Sequence, residues 1–135
     1  MKKLKVYIDG ASRGNPGPAA VGIVFQEGAK TVKTLSEKIG VTTNNVAEYY
    51  GLVLALQEAL MMRAEELDVF TDSELLARQF NGEYKIREDS LKLLAVLVRH
   101  LKKGFKKISV RHVPREENRL ADKEANQALD GDSFL

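Results

Sequence analysis

The chain has 135 residues, of which 44% are hydrophobic and 30% charged, and its formal net charge is +2. This length is enough for one domain with its own core, and no apolar run reaches the length of a membrane-spanning helix. The sequence contains no cysteine, which excludes disulfides and thiolate metal sites and is typical of a reducing compartment such as the cytoplasm. With only two histidines, a metal ion would have to be held mainly by oxygen atoms, which favours magnesium, manganese or calcium.

The first half of the chain predicts three strands followed by a helix. Residues 3–10 alternate between apolar and polar side chains, and the basic start leads straight into this strand rather than into a secretory signal. Residues 19–25 and 31–39 are also strand-like and are joined by a short turn, so the three strands are expected to form an antiparallel meander. Residues 46–62 predict a helix so apolar that it must be covered on nearly all sides.

The second half predicts two further strands and three further helices, at residues 67–71, 74–80, 88–101, 105–113 and 119–129. The expected buried contacts of the last two helices are Leu91, Leu94, Ala95, Leu97, Val98, Leu101, Leu120, Ala121, Ala125 and Ala128. The order βββαβααβα requires right-handed helical crossovers that place parallel strands beside the first strand. We therefore predict one α/β domain over residues 1–129, with helices on both faces of a mixed five-stranded sheet, and a frayed tail over residues 130–135.

Four acids stand at the end of a predicted element or inside an apolar run: Asp9, Glu48, Asp72 and Asp122. Each could also be an ordinary capping or turn residue. Asp9 would start the turn after the first strand. Glu48 would complete a capping box with Asn45, and Asp72 would cap the helix that follows it.

The same four acids also fit a metal centre. If the first and fourth strands are parallel neighbours, Asp9 and Asp72 lie side by side at the carboxyl edge of the sheet, where open α/β sheets bind ligands. The amino-terminal turns of two helices would aim Glu48 and Asp122 at the same edge. Four carboxylates in one place repel one another unless a cation lies among them, and a pair of divalent ions would use all four for phosphodiester hydrolysis. The pattern leaves both interpretations open.

Four stretches of the sequence closely resemble ribonuclease H of type 1. They are YIDGAS with GNPG at residues 7–17, TNNVAE at residues 43–48, TDS at residues 71–73 and HVPREENRLAD at residues 112–122. They occur in the order and spacing of that family and cover about residues 4–129. The resemblance implies a ribonuclease H-like fold and endonucleolytic cleavage of the RNA strand of RNA–DNA hybrids.

The resemblance also implies roles for particular residues. Asp9, Glu48, Asp72 and Asp122 match the four acids that bind two magnesium ions, for which manganese is a substitute, and Asp9 matches the position that bridges both. One ion activates the attacking water and the other stabilises the departing 3′ oxygen. His112 matches a histidine used in proton transfer or product release. Its ordinary explanation is a local hydrogen bond at the end of a strand.

Further matches concern the substrate. Asn15, Asn44 and Asn45 match positions that contact the hybrid, and Gly10 lies in the first matching stretch beside them. Amide side chains suit this role because they offer donors and acceptors to groove edges and 2′-hydroxyls. Thr43 matches part of a phosphate-binding pocket and is also a candidate cap for the helix after it.

The sequence departs from many bacterial members of the family, which insert a basic, tryptophan-containing protrusion. Here residues 81–90 are short and tryptophan is absent. Substrate grip is therefore expected from Lys85, Arg87 and the basic residues at 102–107. The latter belong to a stretch, residues 99–119, that carries eight Lys or Arg against two acids. Glu74 stands where relatives often have a neutral amide that contacts the hybrid. The charge of Glu74 puts this contact with the hybrid in doubt.

These observations favour a magnesium-dependent ribonuclease H that acts as a cytoplasmic monomer on RNA–DNA hybrids, without a membrane or an obligatory protein partner. Two alternatives stay open. The first is a non-catalytic hybrid-binding module on the same fold, which the complete set of acids disfavours. The second is another nuclease of the superfamily that acts on DNA, which the TNNVAE and HVPREENRLAD stretches disfavour.

Overall fold

The strands and helices of the computed structural model, which describes residues 1–131, follow the predicted order. The strands are β1 (Lys3–Ser12), β2 (Gly17–Glu27), β3 (Lys30–Thr42), β4 (Glu66–Thr71) and β5 (Lys107–His112). The helices are α1 (Asn44–Met61), α2 (Glu74–Phe80), α3 (Asp89–Lys102) and α4 (Arg119–Asp130), with a short 3₁₀ turn at Arg115–Asn118.

The strands form one mixed sheet in the order β3-β2-β1-β4-β5. β1 pairs antiparallel with β2 and parallel with β4, and β5 pairs parallel with β4. In the β1–β4 register Ile8 lies beside Thr71, so the residues that follow them, Asp9 and Asp72, emerge at the same edge. The predicted α/β fold and the predicted neighbours of β1 are confirmed.

The three amino-terminal strands are longer than predicted. β1 continues two residues past Gly10, because Ala11 and Ser12 still pair with the start of β2. β3 extends to Thr42, since it pairs with β2 along its whole length and absorbs two register irregularities on the way. Pairing with a neighbour therefore carries these strands through residues whose composition predicts turns.

Helices cover both faces of the sheet, as predicted. α1 packs on β1 and β2 from one side with α3 behind it, and α4 packs on β1, β2 and β3 from the other. The core on the α1 side includes Leu4, Val6 and Ile8, all fully buried. Two glycines allow the helices to pack closely on the sheet. A Cβ at Gly10 would lie 2.3 Å from the backbone of Ala47 in α1, and a Cβ at Gly22 would be similarly close to the backbone of α4.

Some packing predictions are wrong. Leu97 and Leu120 are 47% and 54% exposed, respectively, whereas both were expected to be buried. The face of α3 that packs against α1 is set by Leu91 and Val98, which are two helical turns apart, and Leu97 lies outside it. Asp130 belongs to α4 rather than to a tail, and it pairs with Arg13. Residues 132–135 of the predicted tail lie outside the described residues, and the predicted domain boundary stays a prediction.

No helix within residues 1–131 is both long and apolar enough to cross a membrane.

The contact between Gly22 and α4 predicts a large effect of a small substitution. A Cβ at residue 22 would lie 2.0 Å from the carbonyl oxygen of Ala121 and 2.4 Å from the amide nitrogen of Ala125. Because both atoms belong to the backbone, α4 would have to shift as a whole. We expect Gly22→Ala to lower the free energy of unfolding by about 1–3 kcal/mol, as measured by urea denaturation.

Gly51, which lies within α1, is the matched control. Its Cβ would meet Val21 at an ordinary 3.6 Å. Alanine is about 1 kcal/mol better than glycine inside a helix, so Gly51→Ala should be neutral or stabilising. Equal losses from the two variants would show that the close approach of α4 to β2 is not what makes residue 22 sensitive.

Candidate active site

Three acids converge where β1, β4 and α1 meet. Asp9 lies within β1 and is only 5% exposed, Asp72 directly follows β4, and Glu48 lies near the amino terminus of α1. One carboxylate oxygen of each lies within 4.8 Å of one oxygen of each of the others. Asp122, in the first turn of α4, lines the same cleft. The structure thus brings together all four acids that the sequence singled out.

Other residues cap the two helices next to these acids. The Thr43 hydroxyl accepts a hydrogen bond from the amide of Val46 at the start of α1, at 3.2 Å. The Ser73 hydroxyl accepts one from the amide of Leu76 at the start of α2, at 3.1 Å. The capping box of Glu48 with Asn45 and the capping role of Asp72 are therefore wrong, while the predicted capping role of Thr43 is confirmed.

Asp9 is not a turn residue either. β1 continues through Ser12 in register with β2, and the reversal follows later, where the amide of Arg13 donates to the carbonyl of Pro18 at 2.8 Å. Asp9 is thus a buried acid in the middle of paired backbone. Of the two interpretations left open by the sequence, the structure favours a functional cluster of carboxylates.

The carboxylates in the cluster have perturbed pKa values. Burial, followed by the charges of Asp72 and Asp122 and a hydrogen bond with Asp122, raises the pKa of Asp9 from 3.8 to about 8. Burial and the charges of Asp9 and Asp72 raise the pKa of Glu48 well above its usual value, although the amide of Gly10 opposes this shift. Burial also raises the pKa of Asp72. Such crowding of like charges is a common property of functional sites.

The donor set fits a hard divalent cation. Oε2 of Glu48 is buried, and no hydrogen-bond partner within residues 1–131 satisfies it. A buried carboxylate oxygen is costly unless something pairs with it. The neighbouring ligand atoms are all carboxylate oxygens, which magnesium and manganese prefer. The cluster can therefore hold metal through Asp9, Glu48 and Asp72, with Asp122 beside them.

Two residues that the sequence reasoning gave no role support the cluster. Asn118 is 1% exposed, donates to the carbonyl of Ile8 at 2.8 Å, and lowers the pKa of Asp72 through a hydrogen bond. Arg115 lies 3.9 Å from Asp122 and lines the cleft, so it offsets part of the negative charge. Both Arg115 and Asn118 belong to the HVPREENRLAD stretch, so the match of this stretch to the family could have identified them.

The predicted substrate residues lie around the cleft. Gly10, Asn44 and Asn45 line it. The side-chain oxygen of Asn15 accepts from the backbone amide of Asn44 at 3.1 Å, which ties the turn after β1 to the start of α1. The close approach of Gly10 to α1 gives this glycine a packing role that places Glu48 beside Asp9.

His112 is exposed at the end of β5, in register with Thr71 of β4. It lines a separate depression beside α2, together with Glu74 and Asn81. Its charge nevertheless reaches the acids, because it lowers the pKa of Asp72. The structure thus places His112 next to the cluster and not within it, and its role stays a prediction.

The basic residues divide between the two ends of the sheet. Lys106 forms an ion pair with Glu65 at 3.0 Å, and Lys107 lies opposite Glu66 in the register of β5 with β4. The acids lie at the other end of β4, roughly 20 Å away at about 3.3 Å per residue. Lys106 and Lys107 could therefore contact only a part of the hybrid that extends well beyond the acids, and the role of residues 102–107 in substrate grip stays a prediction. Lys85 and Arg87 line a depression on the active-site side, with Glu88 between them and Asn45.

Comparisons with known proteins agree with this site. The profile of the reverse transcriptase-like family matches residues 7–128. Ribonuclease HI of Halobacterium salinarum is 42% identical over 129 residues, which cover 95% of this chain and 65% of that protein. The bifunctional protein Rv2228c of Mycobacterium tuberculosis is 42% identical over 130 residues, which cover 95% of this chain and 36% of that protein. The chain thus spans less than two thirds of either relative.

Solved structures are similar over nearly the whole chain. RNase H1 of Halobacterium salinarum has a TM-score of 0.92 at 42% identity and covers 95% of this chain and 98% of its own. LC11-RNase H1, solved in complex with an RNA/DNA hybrid, has a TM-score of 0.89 at 41% identity and covers 94% of this chain and 96% of its own. The family resemblance inferred from the four motifs is confirmed, and the chain belongs to the reverse transcriptase-like family and, within it, to the ribonucleases H of type 1.

Proposed function

We propose that this protein hydrolyses the RNA strand of RNA–DNA hybrids by a reaction that depends on two divalent cations. The observation that carries the proposal is the convergence of Asp9, Glu48 and Asp72 within 4.8 Å, with Asp122 in the same cleft. The LC11 relative was solved with an RNA/DNA hybrid bound, which supports this class of substrate. The cytoplasmic location and the monomeric state expected from the sequence are further parts of the proposal.

Magnesium is the proposed cation and manganese its substitute. The carboxylates of Asp9, Glu48, Asp72 and Asp122 would hold two such ions. When bound, the ions supply Lewis-acid activation of the attacking water and charge stabilisation of the departing 3′ oxygen. No nucleophilic side chain is needed.

The protein's own contribution is positioning and charge. Asn118 links β1 to Asp72, since it donates to the carbonyl of Ile8 and also lowers the pKa of Asp72 through a hydrogen bond. Arg115 lies close enough to the cluster to face a substrate phosphate. His112, beside Asp72, would exchange protons with water or with the leaving group during turnover.

The direct test offers one labelled strand as an RNA–DNA hybrid, an RNA duplex, a DNA duplex and a single strand, with magnesium or manganese. We expect cleavage of the RNA strand of the hybrid alone, and its loss in chelator. Asp9→Asn and Asp72→Asn should reduce turnover below a few per cent and leave hybrid binding largely intact, because they remove metal ligands and not the fold. The exposed acid Asp89, changed to Asn, is the control and should retain turnover.

Each failure of this test has its own meaning. Hybrid binding without cleavage under any metal condition would favour the non-catalytic binding module. Cleavage of the DNA duplex at a rate comparable to the hybrid would favour another nuclease of the superfamily.

His112→Ala should lower kcat much more than it raises the dissociation constant for the hybrid, if this residue moves protons or product. Single-turnover and steady-state kinetics measure the two effects. His100, an exposed histidine of α3, serves as the control, since His100→Ala should change neither. Weaker binding at unchanged kcat would mean that His112 only makes a local contact.

Asp9→Asn should raise the melting temperature in chelator at pH 7. The pKa of Asp9 is about 8 in the folded state, against an ordinary 3.8. Because the folded pKa is the higher one, protonated Asp9 stabilises the fold below about pH 4, and this contribution is lost as pH rises towards 8. An asparagine at residue 9 is uncharged over this whole pH range, so the variant does not lose this stability as pH rises. The gain over wild type should therefore be small at pH 4 and increase up to pH 8 in thermal scans.

Metal should reverse this order. Magnesium that binds only the folded state stabilises it by mass action, so the wild type should gain more from added magnesium than Asp9→Asn does. A variant that melts below the wild type in chelator at pH 7 would contradict this explanation, because it would show that Asp9 is needed for the fold itself.

A further inference from the structure

The asparagines around the cleft are held by hydrogen bonds that distinguish the two ends of each amide. The oxygen of Asn44 accepts from the backbone amide of Ser12 at 3.0 Å. The oxygen of Asn15 accepts from the backbone amide of Asn44. The amide oxygens of Asn44 and Asn15 therefore accept hydrogen bonds from within the protein, and their NH₂ groups remain as donors for a ligand.

Asn45 is held in the opposite sense. Its Nδ2 donates to Oε1 of Glu88 at 3.0 Å, across 43 residues of sequence. A carboxylate only accepts hydrogen bonds, so the NH₂ end of the Asn45 amide must face Glu88. The amide oxygen is then the end that remains for a ligand in the cleft, which Asn45 lines.

Glu88 is well placed for this task. It stands at the cap position of α3, yet its side chain makes no capping bond and reaches to α1 instead. Its backbone is fixed, because its carbonyl accepts from the amides of Leu91 and Lys92. The segment before it is anchored as well, since buried Gln79 accepts from the hydroxyl of Tyr49 and donates to the carbonyl of Lys85 at 3.1 Å.

We propose that Glu88 is a positioning residue that fixes the Asn45 amide as a hydrogen-bond acceptor, so that Asn45 selects a 2′-hydroxyl donor on the RNA strand. The inference rests on the proposed function. Minor-groove base edges present mainly acceptors, which suit the NH₂ ends of Asn15 and Asn44. A 2′-hydroxyl is a donor that DNA lacks, and it suits the oxygen of Asn45.

The test uses hybrids whose RNA strand carries a single 2′-fluoro nucleotide, moved through each position around a defined cleavage site. Fluorine replaces the hydroxyl without a donor. With the wild type, one position should lower kcat/KM about three- to tenfold, the size expected for one hydrogen bond. In Glu88→Ala the Asn45 amide is free to rotate, so the penalty at that position should fall below about twofold.

Variants separate positioning from general damage. Glu88→Gln retains a carbonyl acceptor for the NH₂ of Asn45 and should restore most of the fluoro penalty. Asp89→Ala removes the neighbouring charge without touching Asn45, and it should leave the penalty unchanged. Asn45→Ala should abolish the penalty, and adding Glu88→Ala should then change it no further. Because each penalty is a ratio within one variant, a change in the folded fraction cancels.

The outcomes are distinct from those that test the proposed function. If the wild type does not cleave the unmodified hybrid, the proposed function fails first. If it cleaves the hybrid but no position shows a fluoro penalty, or if Glu88→Ala keeps the full penalty, this inference alone is overturned. A penalty that follows replacement of guanine by inosine, and not the 2′ group, would also overturn it, because the donor would then be a base.

Discussion

Repulsion between carboxylates at one edge of the sheet is the constraint to which the rest of the structure answers. Asp9 and Asp72 are forced together by the parallel register of β1 and β4, and α1 adds Glu48 to them. Burial makes the repulsion stronger and raises the pKa of all three. The close packing of the sheet and helices around the cluster holds these acids together, and protons or a cation must neutralise part of their charge.

Close packing in turn depends on positions where no side chain fits. Gly10 lets the backbone of α1 approach β1, and Gly22 lets α4 approach β2. Since Glu48 and Asp122 lie at the beginnings of these helices, the two glycines set how near the acids come to Asp9. The amino termini of α1 and α2, which flank the cleft, are capped by Thr43 and Ser73. The carboxylates of Glu48 and Asp72 are therefore not used as caps and are available to a ligand.

Much of the architecture was predictable, because periodicity marks each element and the crossover rule limits the topology. The four acids were found because they stand at the ends of predicted elements or inside an apolar run, although β1 continues past Asp9 in the structure. What the pattern could not give was packing at the level of single residues. Leu97 and Leu120 look like core residues, but neither lies on the face of its helix that a neighbour covers. The position of Lys106 and Lys107, at the end of the sheet opposite the acids, could not be predicted, because charge along a sequence does not reveal at which end of a sheet it will lie.

Residues that act through others were also invisible in the sequence. The hydrogen bond between Asn45 and Glu88 joins α1 to the start of α3, and no pattern in either segment predicts it. Two cations near the acids have carboxylates beside them: Arg13 forms an ion pair with Asp130, and Arg115 lies 3.9 Å from Asp122. A phosphate must therefore compete with carboxylates for these guanidinium groups, which weakens simple charge attraction as a source of grip near the acids. Amides of fixed polarity carry no net charge and face no such competition, so they can recognise a hybrid beside a cluster that is itself strongly negative.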